Sequence, residues 1–465
     1  MTVTTAHPSI VMPSKSLMDT YYTNEFTYNE YPHKSMWSDR FTEADLQAAV
    51  NELGRSSEDV SQMLFVNVPF CKRQCLFCIC YTIITQDYAR IQRYLDSLLG
   101  EIRLFRNYCN TRGVNPDIRE IHLGGGSPTL LTESDFARLV QAMRSISDTS
   151  QLGDFALEVD PRGMCADRLR FYADQGVNRL SFGIQDFDPD VQKAIARVQP
   201  ASLLQKLLSP EVRERFRGVN FDILCGLPRQ TEASFKQTIE TTLSYAPDRI
   251  MLMFLNYCPS VKEHHRRIPA SELPTVDKKW TLYNHAVGRL LGTGYVRIGF
   301  DHFAKPDDEL AQAFRARTLH WNSLGYRAGR CVGMIGMGAG SLGRVTENVY
   351  YQNGYDIDQY TNRIAHGHWP VVRGYRLTAE DKIRRQIVHA LRCHLALDFQ
   401  PIEQAYGMVF KDTFAEEVQA LRRCERDGLV IIKDRSFEIT EIGKVFTSYI
   451  CGLFDAYIPK EKRFA

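Results

Sequence analysis

MLFVNVPFCKRQCLFCIC, residues 63–80, is the stretch on which the fold turns. Met63–Phe70 is a short apolar run suited to a buried β-strand. Cys71, Cys75 and Cys78 follow it at once, with Cys80 two residues further on. The other eight of the chain's 12 cysteines are scattered singly, mostly among apolar neighbours, and read as small buried hydrophobes. A structural zinc site usually presents two ligand pairs separated by a longer loop. A CxxxCxxC triplet with no distant second pair suits three irons of a [4Fe–4S] cluster instead, leaving the fourth iron open to an exogenous ligand. An iron with a vacant position can bind the amino and carboxylate groups of S-adenosylmethionine. A fourth thiolate at Cys80 would close the cluster, but its spacing of two from Cys78 makes joint ligation of one cubane awkward. Cys80 is therefore left out of the ligand set.

Outward from this loop the chain alternates short apolar strands with amphipathic helices. YARIQRYLDSLLGEIRLFRNYC reads as a helix, IREIHLGGGSP as a strand and glycine turn, and SDFARLVQAMRSI as the next helix. DFALEVDP, RLSFGIQDF, VNFDILCGLP and RIMLMFLNY are further strands, with ADRLRFYADQG and SFKQTIETTLSYA as helices between them. Such alternation implies parallel βαβ units. Five or six of them between about 60 and 300 make an open or closed α/β barrel, whose chemistry gathers at the C-terminal strand ends. The cysteines, the glycine turn, Glu158 to Asp160, Gln185 and Asp222 all fall at such ends.

The expected organisation is an N-terminal extension over 1–60, a core barrel over 61–300, a barrel-completing or connecting region over 301–374, and a C-terminal domain over 375–465. The extension is polar and aromatic-rich, with an amphipathic helix in EADLQAAVNEL. The last segment reads as short helices followed by a hairpin-like strand pair, a small helical, winged-helix-like module. Its charges are mixed and form no basic stripe, so nucleic acid is not its expected partner. Lys+Arg at 57 against Asp+Glu at 55 leaves a formal charge of +2, which gives no footprint for nucleic acid or anionic membrane. No apolar run reaches the roughly 18 residues of a membrane span. The N-terminus lacks a basic start followed by an apolar core, so no secretory signal is expected and the expected compartment is the cytoplasm.

The cysteine loop resembles that of radical S-adenosylmethionine enzymes, and among them the oxygen-independent coproporphyrinogen III oxidase (HemN-type) family, whose loop also carries the extra cysteine. GGGSPTLL, LEVDPRG, NRLSFGIQDF, DILCGLPRQT, DHFAKPDDELA and the segment through FDAY carry the resemblance over nearly the whole chain. It implies an α/β fold, a partial (β/α)6-type radical-SAM barrel with the HemN-type C-terminal domain. It implies that Cys71, Cys75 and Cys78 hold a [4Fe–4S] cluster. It places one or two molecules of S-adenosylmethionine against Phe65, Phe77, Gly125, Gly126, Ser127, Glu158, Gln185, Arg197, Asp222 and Leu342. Taken singly, a glycine triplet is more often a tight turn, and a carboxylate more often a cap or surface pair.

The chain departs from the family where Tyr and His are usual in the first strand: Phe65 and Asn67 stand there. Ser323-Leu324 replaces a Phe-Gln pair near a second cofactor site, the strand near 254–257 reads FLNY, and the aromatic motif survives only as FTYNEYP. Arg327 and Arg330 stand in the altered stretch as candidate contacts for substrate carboxylates. Three readings follow: oxidative decarboxylation of coproporphyrinogen III propionates to vinyls, giving protoporphyrinogen IX; a HemN-like C-methyltransferase or cyclopropane-forming enzyme acting on an sp² carbon of a natural-product intermediate; and haem or cluster carriage without turnover. The first two imply a small-molecule substrate, tetrapyrrole or natural-product intermediate, and a reducing donor such as flavodoxin or ferredoxin. A monomer is the expected state.

Overall fold

The structure is a computed structural model that describes residues 13–22, 30–53, 61–329, 331 and 333–464. The chain forms two compact units: Ser38–Arg289 with Gly329–Tyr375, and Met1–Trp37 with Leu290–Ala328 and Arg376–Ala465.

Six strands of the larger unit follow one another in sequence and in space: β1 (Gln62–Val68), β2 (Ile118–Gly125), β3 (Asp154–Val159), β4 (Arg179–Gln185), β5 (Gly218–Cys225) and β6 (Arg249–Phe254). Every adjacent pair is parallel. Helices make the crossovers, among them Tyr88–Arg112, Glu133–Arg144, Ala166–Asp174 and Glu232–Ser244. This is the open (β/α)6 arrangement expected from the alternation. On the far side of β1 lie β7 (Gly333–Met337), β8 (Leu342–Val345), β9 (Val349–Asn353) and β10 (Val371–Arg376) in that order. β7 runs parallel to β1, and β7–β8 and β8–β9 pair antiparallel.

The stretch 301–374 therefore divides. Gly329–Tyr375 extends the sheet from β1, while Leu290–Ala328 packs with the C-terminal residues. Glycines at 333, 336, 338, 340 and 343 dilute the apolar alternation that marks a strand, which is why β7 and β8 are not legible in the sequence.

Side chains alternate across a strand, so the parallel register sorts the six strands into two faces. Leu64, Val66, Leu123, Leu157, Phe182 and Phe221 share the fully buried apolar face that crossover helices cover. The other face is polar: Phe65 pairs with His122, Glu158 with Ser181, Ser181 with Asn220, and Asp222 with Met251.

Glu101 joins the first crossover helix to the β7–β9 extension. Its carboxyl accepts from the Gly338 amide at 2.7 Å, Tyr360 Oη at 2.6 Å and Asn353 Nδ2 at 2.7 Å. In the loop held this way, Ala339 donates its amide to Tyr94 Oη at 3.1 Å, and Tyr94 Oη donates to the Asn67 carbonyl at 2.6 Å.

In the smaller unit, helix Ala379–His394, strand Ala396–Asp398, helices Phe399–Tyr406 and Ala415–Arg426, and strands Val430–Ile432 and Ser436–Ile439 follow in order. Ser436–Ile439 is central and antiparallel to both neighbours. This is the winged-helix-like pattern read from the sequence. Phe399 stacks on Phe410 with centroids 4.2 Å apart in its core. Described parts of the N-terminal extension belong here: Tyr31 and Tyr457 both donate to Asp381 Oδ1 at 3.0 Å, and Tyr21 donates to Asp427. No helix of the described residues is long and apolar enough to cross a membrane.

Burial lifts Glu101 from the ordinary 4.5 to about 7, against three donors that lower it. The folded chain thus keeps a proton there that the unfolded chain releases above pH about 4.5. Stability from this group is full below about 4.5 and is lost as pH rises through about 7. Glu101→Gln should flatten that slope: melting temperature plotted against pH across this window falls less steeply in the variant than in the wild type. Parallel curves would show that Glu101 does not titrate there.

Candidate functional site

The cysteine loop leaves β1 through Pro69, and backbone bonds fix its course. Gly126 donates its amide to the Val68 carbonyl at 3.0 Å, and Ser127 to the Phe70 carbonyl at 2.8 Å. Phe70–Cys71 pairs in parallel with Ile83–Ile84. Leu76 donates to the Ile195 carbonyl at 3.0 Å. The Phe77 side chain packs against Val191, Ile195, Leu224, Leu227 and Leu255 beyond the C-terminal ends of β4–β6.

The glycine turn is a requirement of close approach. A Cβ on Gly126 would stand 2.6–2.9 Å from the Phe70 backbone. Gly125 holds φ at +107°, and a Cβ there would meet Asn67 Oδ1. Ser127 is buried and its hydroxyl bonds Thr129 Oγ1 at 3.0 Å.

The remaining candidates gather at successive strand ends. Glu158 lies across the turn, with Oε2 accepting the Gly125 amide and Oε1 facing His122 Nε2, both at 3.0 Å. Gln185 ends β4 at φ +67°, in the left-handed region, with a buried Oε1 that meets no donor. A buried acceptor without a donor, on a left-handed residue at a strand end, is one that a ligand donor can satisfy. Arg197 is anchored through Nε and Nη2 on the Gly183 carbonyl, at 3.1 and 2.7 Å, and aims Nη1 at Cys75 Sγ, 3.5 Å away. Asp222 accepts from Asn220 Nδ2 at 2.7 Å and Ser181 Oγ at 3.4 Å. Leu342 opens β8 just past the loop Gly338–Ser341. Phe65 lies on the polar face with its ring centroid 6.0 Å from that of His122.

Several residues here carried no sequence expectation. Arg162 holds Asp160 through two bonds of 2.9 and 2.7 Å and reaches Cys75 Sγ at 3.3 Å. His122, inside β2, is a partner of Glu158. Lys262, His264 and His265 reach the loop's carbonyls from beyond β6. The adjacent histidines of EHHRR were the available signal. Asn67 donates Nδ2 to the Ala339 carbonyl at 2.6 Å, so it ties β1 to the loop after β7. Ser323 donates Oγ to Glu30 Oε2 at 2.6 Å within the smaller unit. Arg327 ends the strand Gly325–Arg327 there, whereas Arg330 and Phe26–Asn29 of FTYNEYP lie outside the described residues.

The thiols are free and close enough to feel one another. Burial, then the charges of Cys78 and Cys75, push Cys71 up to about 12. A hydrogen bond from Cys80 draws Cys78 down to about 7. Among the described residues no three His, Cys, Asp or Glu side chains gather as a single ion would need. A polynuclear cluster instead spreads its thiolates over separate irons. Mutually repelling thiols, two guanidinium donors on Cys75, glycine backbone in place of side chains and the orphaned Gln185 acceptor together fit an iron–sulfur cluster with a polar cofactor beside it.

The radical SAM superfamily model matches residues 67–242 and the HemN C-terminal domain model residues 377–446. The oxygen-independent coproporphyrinogen III oxidase of Pseudomonas aeruginosa is 32% identical over 440 residues, 94% of each chain. That of Escherichia coli is 33% identical over 448 residues, 96% of each chain. The solved E. coli coproporphyrinogen III oxidase, described as a radical SAM enzyme, superposes with a TM-score of 0.88 at 32% identity, covering 97% of this chain and 100% of that one.

Gly126→Ala should force Phe70 and Cys71 off their course. After anaerobic reconstitution the variant is expected to retain severalfold less iron per chain than wild type, with a matching loss of the broad absorbance near about 400 nm that such clusters give. Wild-type iron content in a folded variant would show that the loop tolerates the side chain.

Proposed function

The chain belongs to the oxygen-independent coproporphyrinogen III oxidase family, and from that premise we propose that it removes two propionate carboxyls from coproporphyrinogen III, leaving vinyl groups and protoporphyrinogen IX. When bound, the [4Fe–4S] cluster and S-adenosylmethionine supply a 5′-deoxyadenosyl radical, by one-electron cleavage of the sulfonium. Cys71, Cys75 and Cys78 hold the cluster. The orphaned acceptor of Gln185, set at the end of β4, is the observation that carries the cofactor reading.

The remaining residues orient the cofactor. The Gly125–Ser127 turn presents backbone without side chains to the cofactor's amino acid part. Glu158 and Asp222 offer carboxylate acceptors to amine and ribose hydroxyl groups, and Arg197 turns its guanidinium toward Cys75 and the strand ends. Phe77 carries its backbone past the adenine while its half-buried side chain packs against aliphatics. Phe65, within β1, and Leu342, at the start of β8, offer the cofactor apolar contact. The barrel core of 61–300 supplies this site, apart from Leu342 at the start of β8. The partners are the tetrapyrrole and a one-electron donor of flavodoxin or ferredoxin type. The working form is a monomer in the cytoplasm, whose reducing thiol pool suits an oxygen-sensitive cluster.

A second reading, methyl transfer to an sp² carbon of a natural-product intermediate with a second S-adenosylmethionine, draws on Ser323, held on Glu30 where the family has Phe, and on the adjoining Leu324. An anaerobic assay of the reconstituted, reduced protein with S-adenosylmethionine and coproporphyrinogen III separates the two. Two successive losses of formic-acid mass with 5′-deoxyadenosine are expected. Untouched porphyrinogen alongside 5′-deoxyadenosine and S-adenosylhomocysteine would overturn the decarboxylase in favour of the transferase.

A further inference from the structure

We propose that Lys262, His264 and His265 form a clamp that positions the Cys78–Cys80 arm of the loop and raises the reduction potential of the cluster bound there. This rests on the reading that Cys71, Cys75 and Cys78 carry that cluster.

The clamp comes from the turn after β6, about 185 residues away in sequence. Lys262 Nζ donates to the Cys80 carbonyl at 3.0 Å. His264 Nε2 lies 2.7 Å and His265 Nε2 3.3 Å from the Cys78 carbonyl. A carbonyl oxygen only accepts, so both Nε2 atoms carry hydrogen. His265 has no freedom in this: its Nδ1 accepts the Cys258 amide at 3.1 Å, which fixes the neutral Nε2–H tautomer. The ring is fully buried and lies parallel to that of Tyr257, 8° apart with centroids at 5.9 Å. The His264 ring stands edge-on to it at 85°, 4.9 Å between centroids. Two N–H groups from rings set at 85° to one another thus share one carbonyl on a ligand residue.

The arrangement has an electrostatic consequence. Two N–H dipoles and one ammonium present positive charge to the arm that carries Cys78. Reduction places an added electron on the cluster, and positive charge and hydrogen bonding around the ligands stabilise that state. Lys262 and the histidine pair are positioning residues, acting through the loop.

The test uses the full chain, reconstituted anaerobically and titrated through its [4Fe–4S] couple with electron paramagnetic resonance of the reduced state. It is paired with hydrogen exchange of the amides of residues 78–81 in the metal-free chain. The double variant His264→Ala/His265→Ala should lower the reduced-to-oxidised ratio at a set potential about tenfold, about 59 mV for one electron, and speed exchange in the arm. Lys262→Met should lower the ratio by a smaller factor. His264→Gln, which keeps an N–H near the Nε2 position, should restore wild-type potential and exchange. A fully loaded double variant with unchanged potential, or His264→Gln as impaired as His264→Ala, overturns the clamp. Should the double variant fail to fold, the two single variants decide. Wild-type protein that takes up no cluster would overturn the cofactor reading alone. The clamp is then judged by exchange, and equal rates in wild type and variants overturn it.

Discussion

Two backbone hydrogen bonds, from the Gly126 amide to the Val68 carbonyl and from the Ser127 amide to the Phe70 carbonyl, join the cysteine loop to the sheet. Everything else at the site depends on that junction. It forms only because β1 and β2 are parallel neighbours whose ends coincide, Val68 opposite Gly125, and because Gly126 has no Cβ to hold Phe70 away. The strand supplying one half is buried along its whole length, so its exit point has little freedom. The loop's thiols inherit that rigidity. Groups that must hold a multi-atom centre cannot sit on a segment that wanders.

The same sheet explains how so polar an interior stays stable. One face of β1–β6 is aliphatic and aromatic and provides the packing, which frees the other to carry His122, Glu158, Asn220 and Asp222. These buried or half-buried polar groups pair with one another and with the backbone: Glu158 is shared by an amide and an imidazole, and Asp222 by an amide side chain and a hydroxyl. Among the strand-end candidates Gln185 is the exception, with its unmet acceptor on a left-handed backbone. A buried acceptor left open among paired neighbours is the kind of group that a ligand donor can satisfy.

Much of this was legible in the sequence, for reasons that also set the limits. The six parallel strands and their helices are written in local periodicity, and the helix over 43–53 falls on the residues expected, Glu43–Leu53. The loop's three thiols, the glycine turn and the strand-end residues Glu158 and Gln185 share a feature visible without coordinates: each lies at or just beyond the end of a readable strand. Lys262, His264 and His265 do not. They lie in a turn with no periodicity, and their relation to Cys78 exists only once β2 to β5 have been laid between β1 and β6. β7 and β8 escaped for a different reason, their glycines. The interleaving of the two units escaped because nothing local marks a chain that leaves one core at Leu290 and returns at Gly329.

Phe65 and Asn67, the two departures in β1, have separate physical consequences. Asn67 still joins elements of the larger unit, because its side-chain amide reaches Ala339 and its carbonyl receives Tyr94. The site is thereby tied to the Glu101 network through an uncharged group that does not titrate. Phe65 brings a ring without a hydroxyl beside His122, leaving the His122–Glu158 pair as the polar contact on that part of the face. Asn67 also packs against the glycine turn, its Oδ1 occupying the space that a Cβ on Gly125 would need. Ser323 and Leu324 lie in the other unit, in a turn held by Glu30 and by Asn322. The departures thus fall in both units, those in β1 within the larger and Ser323-Leu324 within the smaller.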